Sequence, residues 1–276
     1  MTSNSSQQEW IQLLTTNVLS FNNAIKNIAR SERTMFKGAI LSNADLSQAH
    51  IGGCDLTGAD LSGSRINGAE LVTCRLQHTK LAQIIPDNDY WMPSIQQLQM
   101  LWRNVNEWNA FRKTSVSLLL ESADLTHAQL GNADLSKIMF TGARLDGSDL
   151  SHCKLEGASF VNASLKSCNF SGNTISFANF SGADLEKANF TKTSFSYTHM
   201  ENAKLSGASC VNAIINNCDW NSIEGPVDFS NAQMDHVLLF RAQLSNSNFL
   251  QARLTGCNFV EAKLDNCNFN DAVLVN

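Results

Sequence analysis

The sequence predicts an all-β solenoid, in which the chain winds as a four-sided coil around a packed interior. Large apolar residues recur every five positions, as in Leu41, Leu46 and Ile51, and a small residue stands two positions before each of them. A period of five fits neither an α-helix nor a single β-strand, so the chain must turn after every unit. Four units close one coil of about 20 residues, and adjacent coils pair backbone to backbone about 4.8 Å apart.

The same register occupies three runs, from Phe36 to Leu81, from Leu120 to Trp220 and from Phe229 to Leu274. Their A(D/N)LXX units, such as Ala44-Asp45-Leu46 and Ala183-Asp184-Leu185, resemble the pentapeptide-repeat family. The resemblance implies a right-handed quadrilateral β-helix, with the large and small residues inside and the other three facing water. It also implies a role in molecular interactions, although the family hosts many functions.

The regions without the repeat predict the domain organisation. We expect an N-terminal helical cap at 1–33, a first repeat block at 34–82, a helical insert at 83–117, and a second block at 118–276 with a register shift near 221–228. A cap is expected because an open coil exposes an apolar cross-section and unpaired strand edges. One amphipathic helix would supply it, with an apolar stripe of Trp10, Leu14, Val18, Phe21, Ile25 and Ile28. The alternative is a free helix that binds a partner.

A second helix is predicted in the insert, opened by Pro93 and Ser94. Its apolar stripe would comprise Ile95, Leu98, Trp102, Val105 and Trp108. The segment Trp108-Asn109-Ala110-Phe111-Arg112 resembles the lead-in helix of some bacterial pentapeptide-repeat proteins. This resemblance implies a second capped start and two blocks joined by a helical element. The alternative is one continuous rod with the insert as a side excursion.

The sequence predicts no catalytic, cofactor or metal site, and therefore a protein that is not an enzyme. All eight cysteines fall at inward positions, where cysteine acts as a small apolar residue: Cys54, Cys74, Cys153, Cys168, Cys210, Cys218, Cys257 and Cys267. The six histidines fall at outward positions, and no two of them are 20 residues apart. Asn173 stands where a small apolar residue is expected, which predicts a local bulge or an internal hydrogen bond.

Outward aromatic and apolar side chains are the candidate protein contacts, because this repeat normally places polar residues outside. Two pairs, each 20 residues apart at equivalent positions, should lie side by side on adjacent coils as exposed patches. A third pair precedes the predicted insert helix. The candidates are Phe177 with Tyr197, Phe240 with Val260, and Tyr90 with Trp91. The alternative is that residues 82–117 or a turn cover these patches.

Composition narrows the class of partner and the location. The net charge of −5, with only 16% charged residues, lacks the basic balance of a protein that binds nucleic acid directly. The sequence has neither a basic leader segment nor a run of about 18 apolar residues. We therefore expect a cytoplasmic protein without membrane association.

The leading functional hypothesis is a non-catalytic protein-interaction scaffold with a protein partner of unknown identity. The last repeat ends at Val273-Leu274-Val275 without a cap, which predicts a homodimer through the C-terminal coil. The resemblance also suggests an alternative, a DNA mimic that regulates or protects DNA gyrase, as in fluoroquinolone resistance. The acidic excess of the second block is small for that role. A secreted, host-directed effector is a further alternative.

Overall fold

The computed structural model describes residues 7–29, 32–69, 71–76, 79–80, 100–101, 104–113 and 120–275. The chain divides into two compact units, Met1–Arg103 and Asn104–Asn276. Each unit begins with helix and continues as a solenoid, so the predicted all-β solenoid with helical additions is confirmed. Among the described residues, no helix has both the length and the apolar character needed to cross a membrane.

The first unit begins with two helices, α1 (Gln7–Thr16) and α2 (Val18–Ile25), and contains a short 3-10 helix at Leu71–Thr73. The prediction of a single N-terminal helix is therefore wrong. The chain breaks at Asn17, whose side-chain oxygen accepts a hydrogen bond from the N–H of Ser20 at 3.0 Å and caps α2. Most of the predicted apolar stripe is nevertheless buried, namely Trp10, Leu14, Phe21 and Ile25.

The second unit begins with α3 (Val105–Arg112). Asn104 has an extended backbone, with φ −159° and ψ 102°, and its side chain accepts hydrogen bonds from the N–H groups of Asn106 and Glu107. The predicted helix that would run from Pro93 through Trp108 is therefore wrong at this point, because Asn104 starts a new helix. The predicted segment from Pro93 to Leu98 and Trp102 lie outside the described residues.

Short parallel strands and isolated bridges form the walls of the solenoid. The eight strands are β1 (Thr174–Ser176), β2 (Ser194–Ser196), β3 (Ala208–Ser209), β4 (Ile214–Asn216), β5 (Val227–Asp228), β6 (Gln233–Asp235), β7 (Arg253–Thr255) and β8 (Val273–Val275). One face carries a six-stranded sheet in the order β1-β2-β4-β6-β7-β8, and β3 pairs with β5. On the other faces, single bridges such as Asp124 with Arg144 join residues at equivalent positions of successive coils.

The ladder keeps a step of 20 residues except around one corner. Ala208 pairs with Val227 and Ile214 with Gln233, which is a step of 19. The shortened corner contains Gly225, which has φ 108°; a Cβ atom there would lie 2.6 Å from the Cα of Ser206. Only glycine fits this close approach of two backbones, so the coil loses one residue where it has no side chain to place.

The interior consists of columns of like side chains, all excluded from solvent. Phe170 stacks on Phe190 with ring centroids 4.9 Å apart, and Phe249 stacks on Phe269 at 4.7 Å. The small inward residues often carry a hydroxyl or thiol that donates to the carbonyl of the large residue 23 positions earlier, as Thr193 does to Phe170. Such bonds satisfy carbonyls that the corners leave inside the coil, which explains why serine, threonine and cysteine suit this position.

Asn173 follows the same rule with a longer side chain. It is buried, and its Nδ2 donates to the carbonyl of Leu150, 23 residues earlier, at 2.9 Å. This internal hydrogen bond confirms one of the two alternatives that the sequence left open for Asn173.

Each helix-capped start docks on its first coils through an asparagine. The Nδ2 of Asn22 in α2 donates to the carbonyl of Gln48, and its Oδ1 accepts from the N–H of His50. In α3, Asn109 makes the same two bonds to residues 132 and 134. Residues 48 and 132 hold the same position within their repeat units, so the two starts are built in the same register.

Candidate protein-contact surface

The most exposed aromatic pair of the second unit lies at the corner after the six-stranded face. Phe177 and Tyr197, here called the corner ladder, have 61% and 53% of their surface exposed. Their rings are stacked, with centroids 5.3 Å apart and planes 4° from parallel. The two residues that sequence spacing predicts to be neighbours are thus brought together.

The corner ladder is held by backbone that has no freedom to slide. The N–H of Phe177 donates to Ser196 at 3.0 Å, and that of Tyr197 donates to Asn216 at 3.2 Å. Both residues have positive φ, 56° and 52°, which is the left-handed conformation that asparagine and glycine hold at equivalent corners. A large aromatic residue in this conformation has no local advantage, so its presence at two successive coils points to a use for the exposed rings.

The face beside the corner ladder is flat and uncharged. Strands β1, β2 and β4 turn six side chains outward here, namely Thr174, Ser176, Ser194, Ser196, Ile214 and Asn216. The hydroxyls of Ser176 and Ser196 lie 2.8 Å apart and hydrogen-bond across the coils, and Ile214 adds an exposed apolar side chain. An aromatic pair beside small hydroxyl groups offers a surface that can lose its water without leaving a charge unpaired.

Elsewhere on the solenoid, many acidic side chains have a basic partner at a nearby coil. Arg144 Nη1 lies 3.2 Å from Asp124 Oδ2, and Lys166 Nζ lies 2.9 Å from Asp184 Oδ2. Further pairs of this kind join Arg75 to Asp55, Lys80 to Asp60, Lys154 to Asp134, and Arg241 to Glu261. These pairs reduce the negative field along the solenoid.

The second predicted pair, Phe240 with Val260, is less open than the corner ladder. Phe240 is half-buried, and the guanidinium carbon of Arg241 lies 4.6 Å from the centre of its ring. Arg241 also pairs with Glu261, so a polar bridge covers part of the patch and leaves Val260 exposed. The third predicted pair, Tyr90 and Trp91, lies outside the described residues.

The cysteines are free, and most of them lie in the interior. Burial raises the pKa of the thiols of Cys54, Cys153 and Cys168 to about 12, because the thiolate would lose its hydration. Cys257 and Cys267 are only partly buried, since the coil that contains them forms the last part of the described solenoid. A thiol with a raised pKa is a poor nucleophile and a poor metal ligand.

Strand β8 is the last strand of the six-stranded sheet, and its side chains are open to solvent. Val273, Leu274 and Val275 are all exposed. The homodimer expected through this coil stays a prediction. Light scattering of the wild-type chain and of a Leu274→Lys variant checks it, because a charge on this surface would dissociate such a dimer.

One group of polar residues was missed by the sequence reasoning. His199, Glu201 and Asp219 lie together on the face that follows the corner ladder, with one ligand atom of each within 4.8 Å of the others. The signal was present in the sequence, because His199 and Asp219 are 20 residues apart. Histidines were compared only with other histidines, and so the mixed cluster was not recognised.

Among solved structures, the chain is similar to HetL, a pentapeptide repeat protein involved in heterocyst differentiation regulation from the cyanobacterium Nostoc. The identity is 21%, the match covers 87% of this chain and 90% of HetL, and the TM-score is 0.34. A trypsin-treated form of QnrB1, a plasmid-mediated fluoroquinolone resistance protein, is 17% identical over 88% of this chain and 86% of its own, with a TM-score of 0.26. These likenesses say nothing about the function of this chain.

The family itself is established by the repeats. No curated protein matches the chain at a significant level. The profile described as "Pentapeptide repeats" matches residues 39–81, 120–157, 148–186, 183–219 and 238–274, which together make up more than half of the chain. With the 20-residue ladder and the inward columns described above, this match shows that the chain belongs to the pentapeptide-repeat family.

Proposed function

We propose that this protein is a non-catalytic interaction scaffold, and that the corner ladder with its uncharged flank is the surface that contacts a protein partner. The observation that carries the proposal is the stacked, exposed pair Phe177 and Tyr197 on a rigid frame. Large exposed aromatic side chains are enriched at the energetic centres of protein interfaces. Their cost in water is offset when a partner covers them.

The rigidity of the surface favours binding. The rings already stack on each other, and the backbone beneath them is held at every coil by hydrogen bonds. Little side-chain or backbone entropy remains to be lost when a partner docks. The stacked pair therefore retains more of its contact energy than two mobile side chains would.

The charge pattern favours a protein partner of mixed polarity over the DNA-mimic alternative. A mimic of DNA needs a dense, unneutralised row of acidic groups to imitate the phosphates. On this solenoid, basic residues lie against Asp124, Asp134, Asp184 and Glu261. Pairing of this kind weakens the negative field that a DNA-binding enzyme would recognise.

The test replaces the rings without disturbing the corner. Asparagine tolerates positive φ and already occupies the next position of this column at Asn217, so Phe177→Asn with Tyr197→Asn keeps the coil intact. Affinity capture and cross-linking with the wild-type chain identify the partner, and its dissociation constant is then measured for the variants. We expect binding by the double variant to weaken at least tenfold, with an unchanged melting temperature.

Two further variants make the result specific. Leu19→Ser removes an apolar side chain that is 78% exposed in the first unit, and it should bind like the wild type. Val260→Asp tests the second patch. Equal affinity of the wild type and the Phe177/Tyr197 variant would remove the corner ladder as the contact site, and selective loss with Val260→Asp would transfer the role to the Phe240 patch.

A further inference from the structure

A compact group of metal-ligating side chains lies on the face next to the corner ladder. The imidazole of His199 and the carboxylates of Glu201 and Asp219 each offer one ligand atom, and these atoms lie within 4.8 Å of one another. We propose that this group binds a divalent transition cation of the zinc class. The inference is independent of the proposed protein contact.

The solenoid fixes the backbone positions of all three ligands. His199 and Asp219 are bridge partners on adjacent coils, and His199 and Glu201 flank the buried Met200 on one coil. The N–H of His199 donates to Ala178 at 3.1 Å, and that of Asp219 donates to Thr198 at 2.9 Å. A cation thus has to order only three side chains, whose starting points are already placed.

The charge of the group distinguishes it from the other acidic sites of the solenoid. Glu201 accepts a hydrogen bond from the Ser181 hydroxyl at 3.3 Å, and Asp219 accepts one from the N–H of Asn221 at 3.2 Å. Among the described residues, no lysine or arginine forms an ion pair with either carboxylate, whereas six other acidic residues have such a pair. Two close carboxylates without a cationic side chain favour a bound cation.

The ligand types select the class of cation. One imidazole nitrogen with two carboxylate oxygens suits Zn²⁺, Ni²⁺ and Co²⁺, whereas Mg²⁺ and Ca²⁺ prefer oxygen ligands alone. Three protein ligands leave at least one coordination position for water or for a group on a second molecule. The buried thiols of Cys54, Cys153 and Cys168 compete poorly, because burial keeps them protonated.

The experiment titrates the full chain with Zn²⁺ in competition with a chromophoric chelator. The variants are His199→Asn, which copies Asn179 below it in the same column, and Asp219→Asn. The matched control is His152→Asn, which removes an exposed histidine at a corner of another face. We expect the wild type and His152→Asn to bind with equal affinity, and the two site variants to bind at least tenfold more weakly.

Co²⁺ absorption spectra identify the ligands. The proposal requires ligand-field bands without the thiolate charge-transfer band that cysteine ligation would give, and it requires these bands to disappear in His199→Asn. Equal Zn²⁺ affinity in all four chains, no binding by the wild type, or a thiolate band would overturn it. The Phe177→Asn/Tyr197→Asn variant should bind Zn²⁺ like the wild type, so loss of the partner site and loss of the metal site can be told apart.

Discussion

In the first unit the amide of Asn22 docks on residues 48 and 50, and in the second unit the amide of Asn109 docks on residues 132 and 134. The bond lengths are nearly the same, 2.9 and 2.7 Å for Asn22 against 3.0 and 2.7 Å for Asn109. A side-chain amide offers one donor and one acceptor, like the peptide of a neighbouring strand. One asparagine on a helix can therefore stand in for the missing coil at the start of a solenoid.

The aromatic anchors of the two starts differ. In the first unit, rings from α1, α2 and the first repeat pack together, with Phe21 6.1 Å from Trp10 and 5.8 Å from Phe36. In the second unit, Trp108 is the one fully buried ring of α3, and its indole N–H donates to the carbonyl of Asp134 at 2.8 Å. The first start thus relies on a shared apolar cluster, and the second relies on a single side chain that is both apolar and polar in its contacts.

The largest expected effect comes from truncating these anchors. Phe21→Ala and Trp108→Ala should each lower the free energy of unfolding by about 3–5 kcal/mol, because each leaves a cavity. Trp108→Ala should cost the more of the two, since the Asp134 carbonyl also loses its donor. Urea denaturation, followed by circular dichroism, measures the difference.

Two controls define what this comparison means. Leu19→Ala changes an exposed side chain of α2 and should alter the unfolding free energy by less than about 0.5 kcal/mol. Trp108→Phe keeps most of the apolar volume and removes the indole donor, so it isolates the hydrogen bond. If Trp108→Phe is as stable as the wild type, the polar half of the anchor contributes nothing and the two starts differ less than their contacts suggest.

The next effect tests the shared device. Asn22→Asp and Asn109→Asp keep the side-chain shape and the acceptor but lose the donor to the carbonyl of residue 48 or 132. Each should cost about 1–3 kcal/mol, with similar values in the two units because the bonds match. Asn23→Asp, at the exposed neighbouring position, should change the unfolding free energy little. A large loss from only one of the two docking variants would contradict the equivalence of the two starts.

The buried cysteines report each unit separately. Cys54 lies in the first unit and Cys168 in the second, and burial holds the pKa of both thiols at about 12. Alkylation therefore requires local opening, and its rate should rise about tenfold for each 1.4 kcal/mol of destabilisation. Asn22→Asp should accelerate labelling of Cys54, and Asn109→Asp that of Cys168. Equal acceleration of both thiols by either variant would show that the chain opens as one unit.

The parts of the molecule that follow the repeat were predictable to the residue. Every position recurs after 20 residues, so the sequence alone places Phe177 against Tyr197 and Phe170 against Phe190. The repeat fixes which side chains are neighbours because the backbone ladder allows no slip. It does not fix side-chain rotamers, and so the cover that Arg241 provides for Phe240 could not be foreseen.

The helical parts were predicted less well, for a local reason. The apolar stripe from Trp10 to Ile25 keeps helical spacing across Asn17, although the helix breaks there. Asn104 interrupts the stripe that ends at Trp108 in the same way. In both places one side-chain cap decides between continuing and restarting, and a periodicity summed over several turns does not register a single hydrogen bond.

The smallest expected effect concerns these two caps. Asn17 accepts one backbone N–H, from Ser20 at 3.0 Å, whereas Asn104 accepts two, from Asn106 at 3.0 Å and Glu107 at 3.3 Å. Asn17→Ala and Asn104→Ala should each lower the unfolding free energy by about 1 kcal/mol, with the larger loss at Asn104. Serine also caps helices, so Asn17→Ser and Asn104→Ser should recover most of the loss in urea denaturation. If the serine variants are as unstable as the alanine variants, the two helices begin for a reason other than capping, and the similarity of the two starts is confined to Asn22 and Asn109.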